Sequence, residues 1–229
     1  MNTLVHFLKL DVTLLFRNKL FHISGIITII YVGLFYLLKP LGSTHLPLII
    51  LIYNDPVIMG YMFAGVLWLF DKNQNTIQAI SVLPVSKSNY IISKVTTLSI
   101  LAVVLSLIMA LFAIGIRFNP IHLTISVFLS SVMFCCLGFV IGSISSTFLS
   151  FLMKSLPVFI LFATPVAVLF DWINPVYFIL VPSLGSILVM QSAFVAVDVI
   201  SILLGYVHMC FWTAISIFVC YRITLPRLQ

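Results

Sequence analysis

Residues 71–94 read DKNQNTIQAISVLPVSKSNYIISK. Only 7% of the 229 residues are charged, yet this stretch joins a polar run from Asp71 to Thr76, a short amphipathic segment, a Leu83-Pro84 break and the lysines Lys72, Lys87 and Lys94. A segment of that character belongs in water or at a membrane surface. Apolar runs flank it on both sides, and a run of roughly 20 apolar residues is enough to cross a bilayer. The stretch is therefore an elbow between two spanning helices, and its lysines place it on the cytoplasmic side.

Working outward, the whole composition agrees. Hydrophobic residues make up 62% of the chain and aromatic residues 14%, and the mean hydropathy is +1.28. Soluble domains carry about 25% charged residues. The chain reads as an all-α, polytopic membrane protein, a single transmembrane domain over residues 1–229 with no room for a soluble catalytic domain. The formal charge of +6 comes from basic residues scattered singly at the ends of apolar runs. That pattern marks topology and not a nucleic-acid surface.

In chain order, residues 1–20 form an amphipathic helix. Asn2, His6, Lys9, Thr13 and Arg17 share one helical stripe, away from Val5, Leu8, Val12 and Leu15, which suits a helix lying in the headgroup plane. The alternative is that these residues lengthen the first span into the cytoplasm. No short apolar core with a small-residue cleavage site follows, so no signal cleavage is expected. The first span runs from about Phe21 to Leu38 and ends at Lys39-Pro40-Leu41-Gly42. The region Leu46 to Phe70 is interrupted at Asn54-Asp55-Pro56. An aspartate at mid-bilayer costs about 2.5–3.5 kcal/mol, so Asp55 belongs near the outer interface, with Pro56 opening the second span and Leu46 to Tyr53 forming an outer or re-entrant segment. The third span runs from about Ile91 to Ile116 and the fourth from His122 to Ile144. A serine-rich cytoplasmic turn, Ser143 to Ser155, leads to a fifth span from Leu156 to Phe170. Pro175 to Val197 is broken around Pro182 and Gly185 and reads as a re-entrant outer segment of two short helices. Val199 to Tyr221 is the last span.

Six crossings with both termini cytoplasmic result. Lys9, Arg17, Lys19, Lys72, Lys87, Lys94, Lys154, Arg222 and Arg227 then lie inside, and only Lys39 and Arg117 outside. A seventh crossing through residues 175–197 would move the basic C-terminus outside, against the positive-inside rule.

Absences narrow the chemistry. Without a single glutamate the chain cannot carry H-E-x-x-H or a glutamate general base, and no metal site is expected. It has no G-x-x-x-x-G-K-[ST] motif, so any ATP is used by another chain. Cys135, Cys136, Cys210 and Cys220 all lie in apolar runs without a C-x-x-C pair and read as apolar side chains. Ser143, Ser145 or Ser186 with His208 would be the best case for an intramembrane serine hydrolase. Hydrogen bonding between helices is the competing role for these residues, and a substrate or proton ligand is a further one for His208. Gly138, Gly142 and Ser146 recur every four residues, as do Gly60 and Ala64. Small residues so spaced let helices approach closely, within one subunit or across a dimer.

The succession Asp55-Pro56, Gly60 and Gly65, the acidic-basic pair Asp71-Lys72, Thr76, Leu83-Pro84-Val85-Ser86, Tyr90 and Lys94 resembles the permeases of type-2 ABC exporters, and most closely fluoroquinolone-export permeases. The resemblance covers essentially the whole chain. Asp71 stands where that family usually has glutamate, and Asn75 where glycine is common. It implies a coupling helix within the elbow, with Asp71, Lys72, Gln74, Asn75, Thr76, Ile77, Ile80, Val82, Leu83 and Pro84 as the coupling residues. It implies two permease subunits, identical or homologous, with two ABC ATP-binding subunits that carry ATP and Mg in trans. This chain would then be no enzyme and bind no cofactor. In such an assembly Ile77, Ile80 and Val82 would fill a groove on the ATPase, with Gln74, Asn75 and Gln78 at its polar rim. Few charges face the spans, so the expected cargo is apolar or amphipathic, such as a drug, a lipid-like molecule or a peptide. A subunit that only anchors or senses is the alternative.

Overall fold

The computed structural model describes residues 3–17, 19–38, 45–54, 59–77 and 87–228. Among these residues the protein is all-helical. The helices are α1 (Thr3–Arg17), α2 (Leu20–Leu38), α3 (His45–Ile52), α4 (Met59–Asn73), α5 (Lys87–Ile114), α6 (Pro120–Ser143), α7 (Phe148–Ala163), α8 (Ser183–Ser192) and α9 (Val199–Thr224). Among the described residues, five stretches are long and apolar enough to cross a membrane: Leu20–Leu38, Lys87–Ile114, Pro120–Ser143, Phe148–Phe170 and Val199–Arg227. The remaining expected crossing corresponds to α4, whose 15 residues span about 22 Å at 1.5 Å per residue. Residues 55–58, where that crossing was expected to open, lie outside the described residues.

Helix α6 is the axis of the bundle. Asn119 caps it by accepting from the backbone N–H groups of Ile121 and His122, and Pro120 occupies its first turn, where the missing N–H costs nothing. Phe134, Cys135 and Phe139 on it are fully buried, with α4, α5 and α9 packed around it and α8 tucked between α6 and α9. The crossing with α4 is the closest. A Cβ at Gly138 would lie 2.2 Å from the Tyr61 carbonyl oxygen, and one at Gly142 would lie 3.0 Å from the Gly65 Cα. Several buried hydroxyls are satisfied locally, as where Ser130 donates to the Ser126 carbonyl at 2.6 Å and Thr97 to the Ser93 carbonyl at 2.8 Å. Such back-bonding is what admits serine and threonine to apolar helices.

Helix α1 does not run on straight into the first span. It ends at Arg17, Lys19 takes a left-handed φ of 58°, and α1 packs against α5 and α2. Helix α3 covers the expected outer segment and buries Leu48, Ile49 and Ile52 against α2, α5 and α8.

The serine-rich turn expected over residues 143–155 is corrected by the structure. Thr147 caps α7 by accepting from the Ser150 N–H at 3.2 Å, so the helix begins at Phe148, eight residues before the expected Leu156. Ser155 sits inside it, donating to the Phe151 carbonyl at 2.7 Å and accepting from the Tyr61 hydroxyl at 3.0 Å. The serines there cap and back-bond within a helix, and only residues 144–147 form the turn.

Candidate functional site

Both ends of the elbow and the N-terminal helix meet in one buried charge cluster. Asp11 comes from the middle of α1, Asp71 from the last turn of α4, and Lys94 from the second turn of α5. Lys94 Nζ lies 3.0 Å from Asp71 and 3.4 Å from Asp11, and the three residues are 4%, 9% and 5% exposed respectively. The hydroxyl of Tyr90 donates to Asp71, and that of Ser93 donates to Asp11. Lys94 also sits 5.0 Å from the centre of the Tyr90 ring, close enough for a cation–π contact. A dry wall of Leu14, Leu15, Leu67 and Leu98 lines the same spot.

Two carboxylates share one ammonium, so the cluster is one cation short of neutral. Burial raises the Asp11 carboxyl above the ordinary value of 3.8, against the opposing pull of Lys94 and Ser93. Removing one partner from such a cluster leaves an uncompensated charge in an apolar setting. The arrangement contains no activated nucleophile. Its chemistry is mechanical: it clamps α1, α4 and α5 together at the mouth of the elbow.

The remaining elbow residues fall as follows. Lys72 points away from the cluster, with Nζ 3.5 Å from the Ser145 carbonyl. Gln74 and Asn75 are exposed, and Asn75 adopts a left-handed φ of 57°, a conformation that asparagine tolerates better than most residues and glycine better still. Helical backbone resumes at Thr76 and Ile77. Ile77 is 8% exposed and packs with Leu15, Trp68 and Tyr90, so its side chain is used inside this chain and not left open for a partner's groove. Gln78, Ile80, Val82, Leu83 and Pro84 lie outside the described residues.

Among the packing residues, Gly60 faces Ser131 and Cys135, each 3.1 Å from where its Cβ would stand. Ala64 is fully buried, and Gly138 and Gly142 form the α4 crossing within this chain. Ser146 is exposed in the turn before α7. Gly185 presses on the last helix, where its Cβ would be 2.7 Å from the Gly205 carbonyl and 2.8 Å from His208 Nδ1. Pro182 immediately precedes α8.

His208 fastens the broken segment that precedes α9. Its Nδ1 accepts from the Gly185 N–H at 3.2 Å, and its Nε2 lies 2.9 Å from the Ile179 carbonyl. Since Nδ1 accepts, the proton sits on Nε2 and is donated to Ile179. Both ring nitrogens are thereby used by backbone groups, leaving no base for Ser143, Ser145 or Ser186. Beside it runs an open, mainly apolar groove of about 660 Å³ lined by Asn174, Leu184, Leu204, His208, Phe211 and Trp212 among others.

The cluster itself escaped the sequence reading, which took Lys94 as a topology signal. Asp11 and Lys94 are 83 positions apart, and no local spacing joins them. One signal was present: Asp11 falls on the apolar side of α1 beside Leu8 and Leu15, opposite the Lys9–Thr13–Arg17 stripe. A carboxylate there has to be paired when the face is buried.

The fluoroquinolones export permease proteins of two Mycobacterium tuberculosis strains, CDC 1551 / Oshkosh and ATCC 25618 / H37Rv, are each 29% identical to this chain over 220 residues, covering 90% of it and 87% of their own length. The sequence profile of the fluoroquinolones export permease protein family matches residues 2–225, from α1 through the elbow to the end of α9. A match that takes in the whole bundle, the clamp and the broken segment before α9 included, places the chain in that family: it is a member of the fluoroquinolones export permeases.

Proposed function

We propose that this chain is the membrane-spanning permease subunit of an ATP-driven ABC exporter in the bacterial cell membrane. It pairs with a second permease, identical or homologous, and with two ATP-binding subunits that hydrolyse ATP. The observation that carries this reading is the Asp11–Lys94–Asp71 clamp. Force delivered to a cytoplasmic elbow moves a bundle only if the elbow is rigidly joined to several helices, and the clamp joins three of them at that point. Rocking of helix groups about such a joint gives alternating access.

The cargo is apolar or amphipathic. In support, the relatives are named for fluoroquinolone export. The groove beside His208 is also of a size that small-molecule sites occupy, about 300–1,000 Å³, with few polar groups on its walls.

Substituting Ile80→Asp tests the coupling. A carboxylate placed on the apolar side of the elbow segment is expected to weaken ATPase docking while leaving insertion intact, because Lys72, Lys87 and Lys94 still flank the spans. Copurification of the ATP-binding subunit and cargo-stimulated ATP hydrolysis are the readouts. Normal yield with normal stimulation would remove the coupling role.

A further inference from the structure

Three cations from three separate elements converge on the C-terminal end of α6. Lys154 of α7 donates to the Ile144 carbonyl at 2.6 Å, Arg227 beyond α9 donates through Nη1 to Ser143 Oγ at 2.9 Å, and Lys72 of α4 lies 3.5 Å from the Ser145 carbonyl. These acceptors belong to three consecutive residues. Helix-end carbonyls carry about half a negative charge in total, which cannot neutralise three full positive ones. Nor does the chain supply the balance. It has five acidic side chains, and among the described residues the two near this end of the bundle, Asp11 and Asp71, share Lys94 and leave at most one net negative charge to set against three cations.

What surrounds the cations says what the missing anion is attached to. Leu149, Met153, Leu156 and Ile160 are 64%, 61%, 53% and 68% exposed, and at that spacing they form a single stripe along α7. The stripe begins next to the cations and runs 11 residues, or about 16 Å. One leaflet's hydrocarbon is about 15 Å deep, half of the roughly 30 Å core. The first turn of α7 adds backbone N–H groups to the same spot, since Thr147 accepts only from Ser150. Positive charge at headgroup level above an apolar track one leaflet long has the form of an anionic lipid.

We propose that Lys72, Lys154 and Arg227 hold the phosphate of one anionic phospholipid at the α6–α7 turn, with an acyl chain lying along the Leu149–Ile160 face of α7. This goes beyond the export reading and does not depend on it, since the site needs neither ATPase nor cargo. An acidic surface of a partner protein would also match the cations, but here they sit at the end of a helix apolar enough to span, whose exposed face meets acyl chains directly below them.

Native mass spectrometry of the purified chain tests this, after exchange into detergent with phosphatidylglycerol or phosphatidylcholine. Wild type is expected to retain one phosphatidylglycerol per chain and to release phosphatidylcholine. Each of K72Q, K154Q and R227Q should weaken phosphatidylglycerol retention roughly fivefold, in line with about 1 kcal/mol per basic residue near an anionic surface. K9Q, on a different helix, should not change it. The single variants keep the test readable if the triple variant does not fold. Equal retention of the two lipids, or retention unaffected by all three variants, overturns the proposal. So does loss of ATPase copurification in the variants while phosphatidylglycerol is held as before, an outcome that assigns the cations to a protein partner.

Discussion

Asp71 and Lys94, the first and last residues of the elbow, are joined at 3.0 Å and both are buried. The most polar stretch of the chain is thus closed on itself by an ion pair. The cost of breaking it follows from what remains behind. Lys94→Met would leave the Asp11 and Asp71 carboxylates facing each other without a cation, and loss of one partner of a buried pair typically costs about 3–5 kcal/mol. A large drop in thermal stability in detergent is expected. The double variant Lys94→Met with Asp71→Asn should recover part of it, because only one carboxylate is then left. If the single variant melts like wild type, the clamp bears no load.

Asp11 gives the clamp a pH signature. Burial raises its carboxyl above 3.8, so between the raised folded value and 3.8 the folded protein binds more proton than the unfolded chain. Stability from this group therefore increases as pH falls through that window, the reverse of an ordinary salt-bridged aspartate. Asp11→Asn abolishes the titration while keeping an acceptor for Ser93. Measured against that variant, wild type should gain relative stability between neutral pH and pH 4. A constant difference across the range would mean that Asp11 keeps an ordinary carboxyl in the fold.

The same residues show where sequence reading reaches its limit. The all-helical class, the five long apolar helices, the break between α1 and α2 and the split over residues 175–197 follow from hydropathy and from Pro, Gly and Asp at the ends of runs, all local properties. The left-handed φ at Asn75 was not read from the sequence, which marked the position only as one where glycine is common. The clamp was not legible either, because it is made by residues 11, 71 and 94 meeting across three helices. The start of α7 was misplaced for a related reason. Serine is a turn residue when its hydroxyl competes with the backbone, and a helix residue when, as at Ser155, it donates back to the carbonyl four residues earlier,.

Gly138 sets the distance between α4 and α6. A methyl group there would sit 2.2 Å from the Tyr61 carbonyl, a backbone atom that cannot rotate away. Gly138→Ala must therefore push the helices apart, and overpacking of this kind costs about 1–3 kcal/mol. Ser146→Ala, two repeats further on and exposed, should be neutral. Equal melting temperatures for the two variants would show that the crossing is loose.

Both termini are expected in the cytoplasm, from the distribution of basic residues. In a background lacking the four native cysteines, single cysteines at positions 43 and 119 should react with a membrane-impermeant maleimide added to whole cells. Those at 75 and 228 should react only after lysis. External labelling at 228 with 75 still protected would require an odd number of crossings between them and overturn the six-span topology.

Gly185 is the point at which the outer segment touches the last helix. Its missing side chain lets the α8 backbone come within reach of the Gly205 carbonyl and of His208, which accepts the Gly185 N–H and donates to Ile179. Gly185→Leu would drive a side chain into both contacts, displacing α8 and releasing two backbone groups from the only partner they share. The break in the outer segment would then lie open in a region where unsatisfied backbone is costly. Insertion is set by the long spans and should survive, so expression is expected near normal and export strongly reduced. His208→Phe separates the two effects: it removes the hydrogen bonds but leaves the glycine contact with Gly205, and export should fall by less than in Gly185→Leu. Full export by both variants, at normal expression, would reduce the α8–α9 contact to a loop packing without a part in transport.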